Sequence, residues 1–343
     1  MSLSPRESDV LSTIVEEYIA TACPVGSRTV ARKCPLRLSA ATMRNTMADL
    51  KEKGFLEQPH TSAGSVPTPL AFRFYVDAVL TFRSPEEHDQ RLIEAQLGAA
   101  GDAINDVLRR ASKLVSSLSS SLAVVAAPAG DNVRLRRVEF VLIAPRRIMA
   151  VLVLQGGVIH ERLVTVDDDM DPWELVRYSN YLNELLANLT MREALGKILK
   201  ELKDASHGLS SLTRRALSLA RDLMEAGSSP EIFIDGTSRI FEQPEFSDVQ
   251  TMRHLLSFLE ERSRLLDLLS GVMRQKGVRI TLGMESEMVE LEDFGLITSC
   301  YRISEYPAGL IAVFGPLRMD YAKVVPVVDY TARVVTGLLM QRL

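Results

Sequence analysis

At 343 residues, 46% hydrophobic and 24% charged, the chain has room for two or three domains and the balance of a soluble globular protein, which excludes a disordered or low-complexity one. A net charge of −4 excludes a uniformly basic nucleic-acid coat. Three cysteines, Cys23, Cys34 and Cys300, with no CxxC pair exclude a disulfide framework or zinc ribbon and fit a reducing cytoplasm. Met1 to Val10 holds two acids and no apolar run, so no signal peptide is expected. The most apolar stretch, Val138 to Leu154, is broken by Pro145, Arg146 and Arg147; a single spanning helix needs ~20 apolar residues. The expectation is a cytoplasmic protein with no membrane partner.

Ser4-Pro5-Arg6-Glu7 predicts a capped helix start with proline in the first turn, and Leu11, Ile14, Val15, Tyr18 and Ile19 continue it at helical spacing. A short second helix is expected from Ser27 to Lys33, between Gly26 and Pro35. Ser39 can cap a third, whose inward stripe is Met43, Met47 and Leu50 and which Gly54 ends. Phe55 to Gln58 and Ser65 to Pro67 then predict two short strands around a turn at Thr61 to Gly64. Three helices and a hairpin in so short a span predict a winged helix-turn-helix.

A helix from Leu70 to about Phe82 follows, then one long or broken connecting helix from Glu86 to Leu122. Val138–Ile143, Ile148–Leu154 and Val158–Val166 are β-branched runs separated by tight turns, a predicted antiparallel meander. Helices are expected over Pro172–Leu189, Met191–Leu202 and Ser211–Ala226, a short strand over Glu231–Ile234, and a helix over Asp248–Leu269. Val278–Gly283, Leu296–Ile303 and Gly309–Phe314 return as strands before a last helix, Tyr321–Leu339. Strands, helices and strands again predict an α+β domain whose one sheet is interrupted by a helical insertion. No internal repeat is visible.

Charge is unevenly spread. From Pro24 to Lys53 there are seven basic residues (Arg28, Arg32, Lys33, Arg37, Arg44, Lys51, Lys53) and two acidic ones (Asp49, Glu52). A phosphate backbone responds to that local excess rather than to the total. The segments Val15–Ile19, Pro24–Thr29, Ser39–Asn45 and above all Gly54–Gly64, with Val66-Pro67-Thr68 and Arg73–Asp77, resemble the HrcA repressors densely over about Leu3 to Asp77. Thinner support comes from Ala308-Gly309, Phe314-Gly315-Pro316 and Met319-Asp320-Tyr321.

The resemblance implies a repressor of heat-shock chaperone genes that binds an inverted repeat of double-stranded DNA as a homodimer. It implies a GAF-like α+β domain with an inserted dimerisation segment, and a chaperonin partner, GroEL, that sustains the active form until heat stress diverts it. This regulation follows from the resemblance and not from composition or spacing. The expected layout is a winged helix-turn-helix over 1–83, a connecting helical region over 84–131, a GAF-like domain over 132–188 and 245–343, and the dimerisation segment over 189–244. Two departures stand out: Ser65 occupies a position where the family usually has a basic residue, and Ala71-Phe72 replaces a usual Gly-Tyr pair.

The candidate DNA contacts follow from the third helix. With its methionines turned inward, Ala41, Asn45 and Ala48 face out, flanked by Thr42 and Arg44. Small residues let a helix sit deep in the major groove, Asn pairs bidentately with adenine and Arg with guanine. Ser39 at the helix start suits a phosphate; Ser27, Arg28 and Thr29 open the second helix, where backbone is commonly held; His60, Thr61, Ser62 and Ser65 are placed on the wing, Ser65 at its tip. Each alone is as readily a solvated polar residue, and Ser27 and Ser39 as readily helix caps; as a set they point to DNA.

Other features carry less. Asp167-Asp168-Asp169 with Asp171 reads as the start of a helix rather than a cation site. The five histidines have no ligand spacing, so no metal is expected, and no cofactor. Cys23 and Cys34 read as small buried residues. No Walker loop, dinucleotide fingerprint or nucleophile elbow is present, which counts against an enzyme fused to a winged helix in the manner of biotin-ligase repressors. The alternative regulator is one gated by a small metabolite in the GAF-like domain, a reading by fold analogy.

Overall fold

The computed structural model describes residues 3–36, 39–60, 63–78, 84–101, 103–127, 134–155, 159–204, 211–226, 231–246, 249–261, 264–266, 268–269, 277–285, 294–303 and 306–341. Among the described residues it is a mixed α+β structure with three sheets, all of whose strand pairs are antiparallel.

The N-terminal unit begins with α1 (Pro5–Thr21). Ser4 and Glu7 form the expected reciprocal cap, and Val10, Leu11, Ile14 and Val15 are buried. Helix α2 (Ser27–Lys33) and α3 (Ala40–Glu52) pack on it, α3 through Met43, Thr46, Met47 and Leu50. Gly54, at φ 79, ends α3 as the sequence predicts. Strands β1 (Leu56–Glu57) and β2 (Val66–Pro67) form the hairpin, with Leu56 opposite Pro67. Val25 adds a bridge to Ser65, through two backbone hydrogen bonds of 2.9 Å. A Cβ on Gly64 would lie 2.6 Å from the Val25 carbonyl carbon, so only glycine lets the hairpin close on the α1–α2 connection. Helix α4 (Pro69–Ala78) completes the unit.

The body is a five-stranded sheet in the order β7-β3-β10-β9-β8. Its strands are β3 (Leu122–Ala126), β7 (Ile232–Asp235), β8 (Val278–Leu282), β9 (Phe294–Ile303) and β10 (Tyr306–Pro316). One face, with Ala123, Val125, Ile297, Ile311 and Val313, belongs to the core shared with α6 (Ile104–Ser119) and the last helix, α12 (Tyr321–Gln341). The other face, with Leu122, Val124, Leu310, Ala312 and Phe314, packs against Ile240 of α10 (Thr237–Phe241), against Phe246, and against Leu255 and Phe258 of α11 (Val249–Glu260). Burial on both faces explains the unbroken apolar runs of β3 and β10. Helix α5 (Glu87–Gly98) lies on α6 and α12.

Between β3 and β7 the chain leaves the body to build a second unit. Strands β4 (Leu135–Ala144), β5 (Arg147–Leu154) and β6 (Ile159–Thr165) form their own meander. Val138, Phe140, Ile148, Ala150 and Leu152 face a core with α7 (Pro172–Leu186), α8 (Met191–Asp204) and α9 (Ser211–Ala226). The β4 edge does not stay open: Asn183 accepts from the Val138 amide at 2.7 Å and donates to its carbonyl at 3.0 Å, and Ser179 accepts from the Phe140 amide. Side chains of α7 thus satisfy polar groups that could otherwise recruit another strand.

Three expectations are corrected. The meander is not part of the body's sheet, so the insertion spans 134–226 rather than 189–244, and the body is not 132–188 with 245–343. The 84–131 region is not merely connecting and helical: β3 lies in it and is a central strand. Cys23 is exposed, whereas Cys34 is buried. The Asp167–Asp171 segment behaves as expected of a helix start, with Asp171 accepting from the Trp173 amide and Asp168 and Asp169 paired to Arg215 and Arg146. No helix among the described residues is long and apolar enough to cross a membrane.

The body tests how tightly its strands approach. Tyr301 Oη donates to the Ala126 carbonyl at 2.7 Å, and a Cβ on Gly309 would lie 2.2 Å from that hydroxyl and 2.3 Å from that carbonyl oxygen. Gly309→Ala should therefore destabilise the chain by about 1–3 kcal/mol, the usual cost of overpacking. Urea unfolding checks this; an unchanged midpoint would show that the strands separate freely here.

Candidate nucleic-acid interface

The α3 helix carries the candidate face. Ser39 caps it, accepting from the Thr42 amide at 3.1 Å, with its hydroxyl also 2.9 Å from that of Thr42. Ala41, Arg44, Asn45 and Ala48 are exposed, and Thr42 is half-buried with its neighbour Ala40. Burial of Met43, Thr46, Met47 and Leu50 fixes this orientation, because residues three and four apart share a helix face. The sequence-predicted stripe thus turns the expected small and polar residues outward.

The flanking candidates divide. Arg28 is exposed on the first turn of α2, and Ser27 and Thr29 are half-buried beside it. The cap of α2 is Gly26, and Ser27 is its first helical residue, so capping does not account for Ser27. His60 is exposed on the descending limb of the hairpin; Thr61 and Ser62 lie outside the described residues. Ser65 is corrected: it stands on the returning limb just before β2, held by the Val25 bridge, and not at the tip.

The basic run is less free than its count suggests. Lys33 pairs with Glu17, and Lys53 with Glu7 at 2.6 Å. Both cations are tied to carboxylates of α1 and serve the packing of the unit. Lys51 instead donates to the neutral Gln58 amide oxygen at 3.3 Å, and Gln58 donates in turn to the Ala63 carbonyl at 2.8 Å. This links the end of α3 to the far limb of the hairpin while leaving the Lys51 charge uncancelled. Arg28, Arg32 and Arg44 are exposed and make no ion pair among the described residues. Arg32, Lys51 and Gln58 were missed as candidates; the clue was their place in or beside the same basic run.

Residues 105–325 match the family model described as HrcA protein C terminal domain. The chain is 41% identical over 337 residues to the heat-inducible transcription repressor HrcA of Geobacter sulfurreducens, covering 98% of each chain. It is 44% identical over 345 residues to the protein of the same name from Nitratidesulfovibrio vulgaris Miyazaki F, covering 99% and 97%. The chain belongs to the HrcA family. The HrcA family model begins within α6, so the N-terminal unit enters through the full-length relatives. A crystal structure of a hypothetical protein shares the fold, with a TM-score of 0.63 at 21% identity over 100% of both chains.

The Glu7 carboxyl gives the N-terminal unit a pH signature. The Lys53 ammonium, followed by the Ser4 amide and hydroxyl, holds its pKa down from 4.5 to about 2. A depressed carboxylate pKa contributes stability above the unfolded value, and that contribution fades as pH falls toward the folded value. Wild type should thus exceed Glu7→Gln in stability at neutral pH, with the gap closing between about 4.5 and about 2. Thermal melts of both proteins across that range test it; a pH-independent gap would show that the ion pair is not its source.

Proposed function

We propose that this chain is a transcriptional repressor of heat-shock chaperone genes, and no enzyme, that binds an inverted-repeat operator as a homodimer. The observation that carries the reading is the exposed row Ala41, Arg44, Asn45 and Ala48 on α3, in a chain whose full-length relatives bear the name heat-inducible transcription repressor. On this reading the N-terminal unit is a winged helix-turn-helix. Its α3 enters the major groove, where Arg44 reads guanine and Asn45 adenine. Ser27, Arg28, Thr29 and Ser39 hold phosphates around it, and Arg32 and Lys51 add charge. His60, Thr61 and Ser62 belong to the wing, with Ser65 on its returning limb beside the Val25 bridge. The body is the GAF-like domain, and as the resemblance implies, GroEL sustains the active form.

The inserted unit supplies the dimer contact. The face of its meander opposite the helices aligns Val141, Met149 and Leu163 across all three strands, with Val153 opposite Ile159. Val141, Ile143, Ile159 and Leu163 are 46%, 56%, 58% and 40% exposed. Val151 on the central strand joins the two rows, flanked by Glu139 and Glu161 on the outer strands and with Arg137 opposite Val153. Exposed apolar residues rimmed by charge are a feature of association surfaces, and a two-fold pairing of like with like satisfies them. The metabolite-gated alternative gains no support from the body: among the described residues, the sheet face toward α10 is packed with Phe246, Phe258, Phe294 and Phe314, and the Phe246 and Phe294 rings stack at 4.9 Å.

Footprinting on chaperone promoters, with and without chaperonin, tests the reading as a whole; protection of no inverted repeat would overturn it. Arg44→Ala and Asn45→Ala should each lose about 1–3 kcal/mol of preference for operator over random duplex. Equal discrimination by folded variants and wild type would take base readout away from α3. Val141→Asp with Leu163→Asp should give monomers in sedimentation and weak operator binding; a variant that remains dimeric would move the contact elsewhere.

A further inference from the structure

Two stretches that resemble the family take no part in the nucleic-acid face: Arg73–Asp77 on α4, and Phe314-Gly315-Pro316 with Met319-Asp320-Tyr321, which flank Arg318 between β10 and α12. They meet where the N-terminal unit rests on the body. Arg73 Nη2 donates to the Ile280 carbonyl of β8 at 3.1 Å, and its Nε lies 3.1 Å from Glu285 Oε1. Glu285 is itself held by the Leu282 amide at 2.9 Å. In the opposite direction, Arg318 reaches from the body: Nη1 donates at 3.5 Å to the Ile19 carbonyl in the last turn of α1. The rest of that guanidinium is gripped by Glu245 through both nitrogens that face it, with Nη2 3.0 Å from Oε2, and by Gln243 Oε1 at 3.2 Å.

The exchange is reciprocal: each unit sends one arginine to a backbone carbonyl of the other. Helix α1 has no basic residue in its last turn, so Arg318 supplies from another unit the cation that a helix C-terminus favours. The Arg318 and Arg73 side chains are only 16% and 29% exposed, which limits the screening that weakens surface pairs. A guanidinium held by a carboxylate fork is also directional in a way that a lysine is not. One attachment point would leave the N-terminal unit free to pivot; two, on α1 and α4, remove that rotation.

We infer that Arg73 and Arg318 are positioning residues that fix how the N-terminal unit is aimed from the body, and so set the spacing and phase of operator half-sites that a dimer accepts. This rests on the reading as a dimeric operator-binding protein. Half-sites on DNA change facing with a repeat of about 10–10.5 base pairs, so a rigidly aimed pair of units tolerates little change in spacer, and a loosely hinged pair tolerates more.

The test uses the full chain and synthetic inverted repeats whose spacer is natural, or longer or shorter by about two and about five base pairs, chosen against that repeat. Wild type should prefer the natural spacer by about tenfold or more. Arg73→Gln with Arg318→Gln should bind it about tenfold more weakly, prefer it by no more than about threefold, and bind a single half-site as wild type does, since the base contacts are untouched. Glu245→Gln with Glu285→Gln removes the partners while keeping both arginines, and should flatten the spacer profile likewise should the first variant fail to fold. Wild-type spacer discrimination retained in either folded variant overturns the inference alone. Failure of wild type to bind an inverted repeat at any spacing overturns the DNA-binding reading beneath it.

Discussion

The pairing of β3 with both β7 and β10 is the constraint on which the architecture depends. The chain leaves the body after Ala126 and returns at Ile232, and those two residues face each other across one ladder. Neighbouring strands lie about 4.8 Å apart, so everything inserted between them must begin and end at nearly the same place. An insertion with closed ends can have its own sheet and core without straining its host. The 134–226 unit has its own sheet, and its start is tied within the unit: the Leu135 amide donates to the Leu189 carbonyl at 2.7 Å and an isolated bridge joins Arg134 to Thr190. The same strand separates the body's two cores, with Val124 on one side and Val125 on the other. Gly236, at φ 90, lets β7 end hard against α6, where a Cβ would lie 2.1 Å from Ser116 Oγ.

Local features of the N-terminal unit were legible because they are short-range. The Ser4–Glu7 cap, the Gly54 stop and the Met43, Met47 and Leu50 stripe depend on residues within a turn or two, and each forms as its spacing predicts. The strand β3 was not legible. Leu122–Ala126 follows α6 after two serines, and its apolar residues lie on both faces of a doubly covered sheet. It therefore lacks the alternation that marks a half-exposed strand, and it extends a helical apolar pattern. Nor does strand order follow from strand existence. The meander and the late strands have similar composition, and only long-range pairing decides that they form two sheets.

The candidate site shows the same division. Which residues α3 turns outward follows from helical period, but which cations are free does not. Lys33 and Lys53 look like Arg28 and Arg44 in a charge count, yet each finds a carboxylate on α1 from a distant part of the sequence. Ser65 is a similar case. Its place in the hairpin suggested a tip, but an isolated bridge to Val25 ties that residue to the α1–α2 connection. The tertiary fold therefore uses part of the basic run to hold the unit together before any of it can meet a polyanion.

That economy of free charge bears on how such a unit would hold DNA. In an acidic chain, the exposed cations near α3 that lack an ion pair are few: Arg28, Arg32, Arg44 and Lys51 among the described residues. Each phosphate contact adds only one released counterion to affinity, so one unit on one half-site is a weak ligand. Two units joined through the meander, as proposed, would act at a high effective concentration, and the second contact would become nearly intramolecular if the geometry permits it. On the proposed reading, affinity resides less in the α3 contacts than in the geometry that lets two of them engage together. On that reading the apolar face of the insertion would set the distance, and the arginines at the α1 and α4 joints the direction. A change that loosens either one would release the operator while leaving every DNA-contacting side chain in place.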